Sequence, residues 1–221
     1  MIQAEIDLVL QNYTQFLEKV DAHIQRVEKK YPEEIACKKG CDSCCRFLTL
    51  FPVEAFSISA AFLKLDKPRQ DFVRSVLVPS IPIKNGPVSA NEISSGLNPS
   101  SPVPSELEKK GCPLLINREC ILYEARPIIC RTHGFPIYIE KDGESLVDFC
   151  PKNFKNNTSF SRDTLLHLEQ LNTLLTAINT QFLKSIELDS QFPDRIPISQ
   201  ALFMLCGIES SCDSRKFDPK T

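Results

Sequence analysis

Four cysteines crowd one short stretch, Cys37-Lys38-Lys39-Gly40-Cys41-Asp42-Ser43-Cys44-Cys45. A thiolate is both a nucleophile and a soft metal ligand, and short spacings let one turn of backbone wrap several sulfurs round a single centre. Gly40 supplies the permissive backbone such a wrap needs. Cys44 and Cys45 are adjacent, so their side chains diverge, by about 100° on a helix or to opposite faces on a strand. One of them therefore faces a second metal, or serves as a supporting or reactive thiol; a vicinal disulfide is the third reading. A second, wider group, Cys112, Cys120, Cys130 and Cys150, completes eight ligand candidates among the ten cysteines of the chain. Eight thiolates are enough for two four-thiolate sites, or for one site with spare thiols. Cys206 reads as a core thiol on an apolar helix face and Cys212 as a thiol of the polar tail.

Four thiolates on one divalent ion leave a net charge of about −2, which cations or backbone donors must offset. Lys38, Lys39, Arg46, Arg118 and Arg131 each lie within two residues of a cysteine. They can balance that charge and lower thiol pKa values, or they are ordinary solvated surface charges. Other cysteine chemistries fit less well. Cys41-Asp42-Ser43-Cys44 has the spacing of a thiol–disulfide enzyme but sits among too many other thiols. Cys37, Cys41 and Cys44 share the spacing of radical S-adenosylmethionine enzymes, yet Ser43 stands where an aromatic is usual. His133 follows Cys130 by three residues, which makes it a ligand alternative or a polar neighbour rather than a marked base. His23 and His167 are scattered on expected helices, and there is no phosphate-cradling glycine motif.

The net charge is −2, so no broad basic footprint points to nucleic acid or to an anionic membrane. The start of the chain lacks a basic segment followed by an unbroken apolar run, and no stretch approaches ~18 consecutive apolar residues. The expectation is a cytoplasmic protein. Reducing compartments do not sustain structural disulfides, which turns the grouped cysteines towards metal binding.

The elements that must position these thiols are mostly helical. Residues 2–31 predict one long helix with Ile6, Leu10, Tyr13, Leu17, Val20, Ile24 and Val27 on one seam. That seam serves either intramolecular packing or a helix-mediated dimer. Pro52 opens a second helix with Val53, Phe56, Ala60 and Leu63 on one face, and another runs from Pro68 to about Val78. Residues 79–105, rich in proline and serine, predict a loop insertion. Phe135–Glu140 and Leu146–Phe149 predict a hairpin about Asp142-Gly143. A long helix is expected at 162–185, capped by Ser161 and apolar at Leu165, Leu168, Leu171, Leu175, Ile178 and Phe182, followed by a shorter one at about 198–208.

The pattern Cys37-x3-Cys41-x2-Cys44-Cys45, then Cys112-Pro113-Leu114-Leu115, then Cys120-Ile121-Leu122-Tyr123-Glu124-Ala125-Arg126-Pro127-Ile128-Ile129-Cys130-Arg131, resembles the YkgJ-type cysteine cluster proteins, a CxxCxxCC family of zinc or iron chelators. The resemblance covers roughly residues 35–151. It departs from the pattern where three residues, not two, separate Cys37 from Cys41. It implies metal chelation by Cys37, Cys41, Cys44, Cys45, Cys112, Cys120 and Cys130, with Cys150 as an addition. It also implies that Tyr123, Arg126 and Arg131 support the ligands, the arginines by donating to sulfur or to a nearby carboxylate. Arg126-Pro127 is equally a helix-entry device. A related cysteine region occurs in flagellin lysine N-methylases.

The sequence thus predicts a single domain over 1–221. It is mostly α with a small β-hairpin, its irregular cysteine-rich region (35–151) packed on the N-terminal helix and on the C-terminal helices at 161–208. The central function expected is a thiolate centre for zinc or an iron–sulfur cluster. An iron–sulfur-dependent protein-modifying enzyme and a structural-zinc interaction module are the alternatives.

Overall fold

The computed structural model of the chain describes residues 2–38, 40–77, 111–156, 159–186 and 193–205. The expected loop at 79–105, Lys39, Cys206, Cys212 and the end of the last expected helix lie outside the described residues. These residues form six α-helices and three small sheets. Among them no helix is long and apolar enough to cross a membrane. The chain divides into two compact units, residues 1–45 with 115–189, and residues 46–114 with 190–221.

In the first unit, α1 spans Ile2–Lys30, with Glu5 in its first turn and Lys29 and Lys30 in its last, each sign matched to the helix dipole. No glycine or proline interrupts it before Pro32. Its buried face is Val9, Tyr13, Phe16, Val20, Ile24 and Val27. The expected seam is thus right at Tyr13 and from Val20 onward. Val9 and Phe16 replace Ile6, Leu10 and Leu17, which are half-buried. A strict seven-residue repeat drifts by about 20° per heptad on a straight helix, so a long contact line cannot keep to it.

The main partner of α1 is α5, Leu168–Ser185, which buries Leu171, Leu175 and Phe182. The expected packing of the two long helices is therefore present, but α5 starts later than 162. Arg162–Thr164 form a 3-10 turn and Leu166–His167 a short strand, β6. The Leu166 N–H donates to the Pro136 carbonyl at 2.9 Å, recruiting this segment to a sheet before helix can start. Ser161 makes no side-chain cap; its hydroxyl accepts from Lys30 Nζ at 2.6 Å instead.

The hairpin forms as the sequence predicts. β4 (Ile137–Lys141) pairs antiparallel with β5 (Glu144–Asp148), and β6 joins β4 in parallel. Asp142 and Gly143 take φ values of 54° and 81°, the two left-handed positions of a tight primed turn. A second, unexpected hairpin pairs β2 (Leu115–Ile116) with β3 (Glu119–Cys120) about Asn117 and Arg118, at φ 52° and 68°. After a 3-10 turn at Tyr123–Ala125, α4 spans Ile128–Thr132 and packs on α1. Phe154 meets Tyr31, Phe149 and Phe160 edge-on, with ring centroids 5.7, 5.5 and 5.0 Å away. Such aromatic edges fix the segment after β5 against the end of α1.

In the second unit, α2 (Pro52–Leu63) has proline at its start, and the buried Glu54 accepts the Phe51 N–H at 3.2 Å, closing the first turn. Its most buried positions include Val53, Ala55, Ile58, Ser59 and Phe62, whereas Phe56, Ala60 and Leu63 of the expected face are half-buried. A helix that is apolar almost all round does not announce its inner face. α3 spans Lys67–Leu77 and buries Val73 and Leu77. β1 (Thr49–Leu50) pairs with β7 (Ile196–Pro197), which leads into the four-residue α6, Ile198–Ala201. Ser59 Oγ donates to the Leu202 carbonyl at 3.4 Å and accepts the Leu205 N–H at 3.1 Å, holding the turns that follow α6.

Candidate metal centre

All eight described cysteines are half-buried and outside any disulfide. Two tight turns shape the first group. The Cys41 N–H donates to the Lys38 carbonyl at 2.8 Å, with Gly40 at φ 92° between them. The Cys45 N–H donates to the Asp42 carbonyl at 3.0 Å. Arg118 holds Asp42 from outside through two hydrogen bonds, Nε to Oδ2 at 3.1 Å and the second nitrogen to Oδ1 at 3.3 Å. That guanidinium lowers the Asp42 carboxyl pKa. Lys152 donates to the Ser43 hydroxyl from the Cys150 side of the unit.

Burial and neighbouring thiols act on Cys37 and Cys45. Burial first, and then Cys41, Cys44 and Cys150, push the Cys37 thiol up to about 12, and Cys37 and Cys41 share a hydrogen bond. Burial, then Cys44 and Cys120, push the Cys45 thiol up to about 11, with a Cys44–Cys45 hydrogen bond adding to it. The adjacent pair therefore belongs to two neighbourhoods, Cys37, Cys41 and Cys150 on one side and Cys120 on the other. Burial also raises Cys120, against the opposing pull of a Leu122 N–H that donates to its sulfur and of the Arg126 charge.

The remaining candidates are placed as follows. Cys130 lies in α4, its N–H donating to the Pro127 carbonyl at 3.0 Å. Cys112 belongs to the second unit, next to Gly111, which bridges to Arg46. The Arg126 guanidinium lies over the Tyr123 ring at 3.5 Å and donates to the Tyr123 carbonyl at 2.9 Å, so these two residues form one stacked unit near Cys120. Arg131 is 6% exposed and is directed at the scaffold: it donates to the Asp21 carboxylate on α1, to the Glu124 carbonyl and, at 2.7 Å, to the Arg126 carbonyl. His133 is exposed just after α4.

Two residues that position the thiols escape sequence reasoning. Asn153 is fully buried and accepts the N–H groups of Ala36 and Cys37, both at 3.0 Å, while donating to the Gly134 carbonyl at 2.8 Å. Gly134 adopts φ 96°, and a Cβ there would lie 3.4 Å from Cys150 Cβ and 3.5 Å from Cys37 Sγ. The available signals are weak: an asparagine three residues after a cysteine at a turn, and a glycine just beyond a short helix.

Among the described residues, no group of three or more His, Cys, Asp or Glu side chains stands in a geometry that holds a metal ion. Cys41, Cys44 and Cys150 bear on Cys37, and Cys44 and Cys120 on Cys45, with hydrogen bonds at the Cys37–Cys41 and Cys44–Cys45 pairs. No protein-family model, curated protein or solved structure matches the chain.

Proposed function

We propose that this chain binds metal through clustered thiolates, holding zinc or an iron–sulfur cluster. The observation that carries the reading is the gathering at Cys37 of Cys41 and Cys44 from its own loop and of Cys150 from a distant part of the sequence, with Cys37 Sγ and Cys150 Cβ both lying against Gly134. Neighbouring thiols oppose each other's ionisation, and a bound cation reverses that opposition, because a coordinating thiol is deprotonated outright. The donor set supports the same reading: sulfur without histidine suits zinc and iron–sulfur centres equally. Cys37, Cys41, Cys44 and Cys150 would hold the first centre. Cys45 and Cys120 form the core of the second thiol neighbourhood, where the Leu122 N–H donates to sulfur as backbone donors do around thiolate centres. Cys130 is a further candidate thiol of the same unit, and Cys112 a candidate thiol of the other. When bound, zinc would tie these segments together, and a cluster would in addition carry an electron. The resemblance to the YkgJ-type cysteine cluster proteins rests on the same cysteines and supports the reading.

The test is metal content in cysteine variants of the full chain purified without oxygen. Cys41→Ser and Cys150→Ser are expected to lose bound metal, while Cys206→Ser retains it. Full metal content in both Cys41→Ser and Cys150→Ser would refute the proposal.

A further inference from the structure

We infer that Asn153 is the positioning residue of the thiol group, an internal clamp that sets where Cys37 stands relative to Cys150. Its side chain joins three segments at once. Oδ1 takes the N–H groups of Ala36 and Cys37 at the entry of the cysteine loop, and Nδ2 donates to Gly134 after α4. Its own backbone N–H closes the turn on the Cys150 carbonyl at 2.8 Å. A carboxamide accepts at one atom and donates from another, so it can take two N–H groups on one side and give a bond on the other. Burying one unsatisfied is costly, so three bonds on a fully buried asparagine define a single orientation. Gly134 makes the clamp fit: a Cβ there would stand 3.2 Å from Asn153 Nδ2.

The clamp is held from behind by the next residue. Phe154 adopts φ 51°, its N–H donates to the Glu34 carbonyl at 2.7 Å, and its ring sits within the aromatic cluster of Tyr31, Phe149 and Phe160. These contacts of the chain itself fix the geometry of Asn153. Its consequence for metal affinity rests on the thiolate reading above, but its effect on Cys37 does not.

Two readouts separate these. In the metal-free full chain, the alkylation rate of each thiol by iodoacetamide is followed by mass spectrometry. Asn153→Ala is expected to speed alkylation of Cys37 by about tenfold, as local opening replaces a held amide, with Cys120 unchanged. Asn153→Asp keeps the acceptor for the Ala36 and Cys37 N–H groups but sets a buried carboxylate against the Gly134 carbonyl, so it too is expected to speed alkylation of Cys37. Phe182→Leu, which loosens the α1–α5 core without touching the clamp, moves no thiol selectively. A Cys37 rate unchanged in folded Asn153→Ala, or raised equally with every other thiol, would overturn the inference. A measurement on the wild type alone guards against a variant that does not fold: the Ala36 and Cys37 amides must be protected from hydrogen exchange without metal, and exchange at the free-peptide rate would also overturn it. Zinc affinity should then fall about 10–100-fold in Asn153→Ala, the range seen when a support of a ligand is removed. A wild type that takes up no zinc and no iron overturns the metal reading and leaves the alkylation result to judge Asn153.

Discussion

Replacing Arg131 with methionine tests whether that guanidinium is a strut of the scaffold. In the folded chain it makes three directed contacts, to the Asp21 carboxylate, the Glu124 carbonyl and the Arg126 carbonyl, while 6% exposed. Hydrogen bonds from a charged donor contribute about 1.5–3 kcal/mol each. Asp21 is 38% exposed, so its share is reduced by solvent to about 1 kcal/mol. Removing the arginine also relieves the desolvation of a buried charge, which offsets part of the loss. The net expectation is a destabilisation of about 3 kcal/mol. With a urea dependence of about 2 kcal/mol per molar, the unfolding midpoint of the metal-free, reduced protein should fall by about 1.5 M. Circular dichroism at the helical band follows the transition. A midpoint shift below about 0.3 M would refute the strut role. Loss of metal with stability intact would instead place the working contact of Arg131 at the thiols.

Two glycines and one histidine give further tests. Gly40→Ala adds a Cβ with nothing within 4 Å and meets only the strain of a left-handed backbone, about 1–2 kcal/mol. Gly134→Ala carries the same strain plus a contact at 3.2 Å with Asn153 Nδ2, and should cost about 1–3 kcal/mol more; equal losses of Tm in the two variants would contradict the crowding at Asn153. His23 has a pKa lowered mainly by burial, with the Thr164 carbonyl opposing, Arg26 lowering, Asp163 raising and His167 lowering it. The folded chain therefore binds fewer protons than the unfolded one as pH drops below the ordinary value of 6.5, so stability present at neutral pH drains away on acidification. His23→Gln should flatten the fall in Tm of the metal-free protein between about pH 7 and 5.5; an unchanged slope would clear His23 of that role.

How far the sequence could be read depended on the range of the interaction behind each feature. The hairpin at β4–β5 was legible because Asp142-Gly143 encodes its own turn. The β2–β3 hairpin was not, because Asn117-Arg118 carries no glycine and the turn forms by tolerance of the left-handed region rather than by preference for it. The long helices were legible from periodicity, yet the start of α5 was displaced by a bond from Leu166 to Pro136, which no local propensity reveals. At the thiols, spacing alone gave no sign that Cys150 lies beside Cys37, nor that the adjacent Cys44 and Cys45 share a hydrogen bond instead of diverging. The clamp was hidden because Asn153 acts on Ala36 and Cys37, far away in sequence, through a carboxamide that looks like any loop asparagine. Arg131 showed the opposite limit: its nearness to Cys130 in sequence drew attention to sulfur, while its three contacts are with Asp21 and two carbonyls.

The most direct test of the thiolate centre is elemental analysis of the full chain purified without oxygen, combined with its visible absorption spectrum and a count of thiols open to a disulfide reagent. A thiolate centre predicts stoichiometric zinc in a colourless protein, or iron with sulfide and a visible band, with most of the eight grouped thiols shielded until a chelator removes the metal. A chain that carries neither metal, and whose grouped cysteines all react at once, would contradict it.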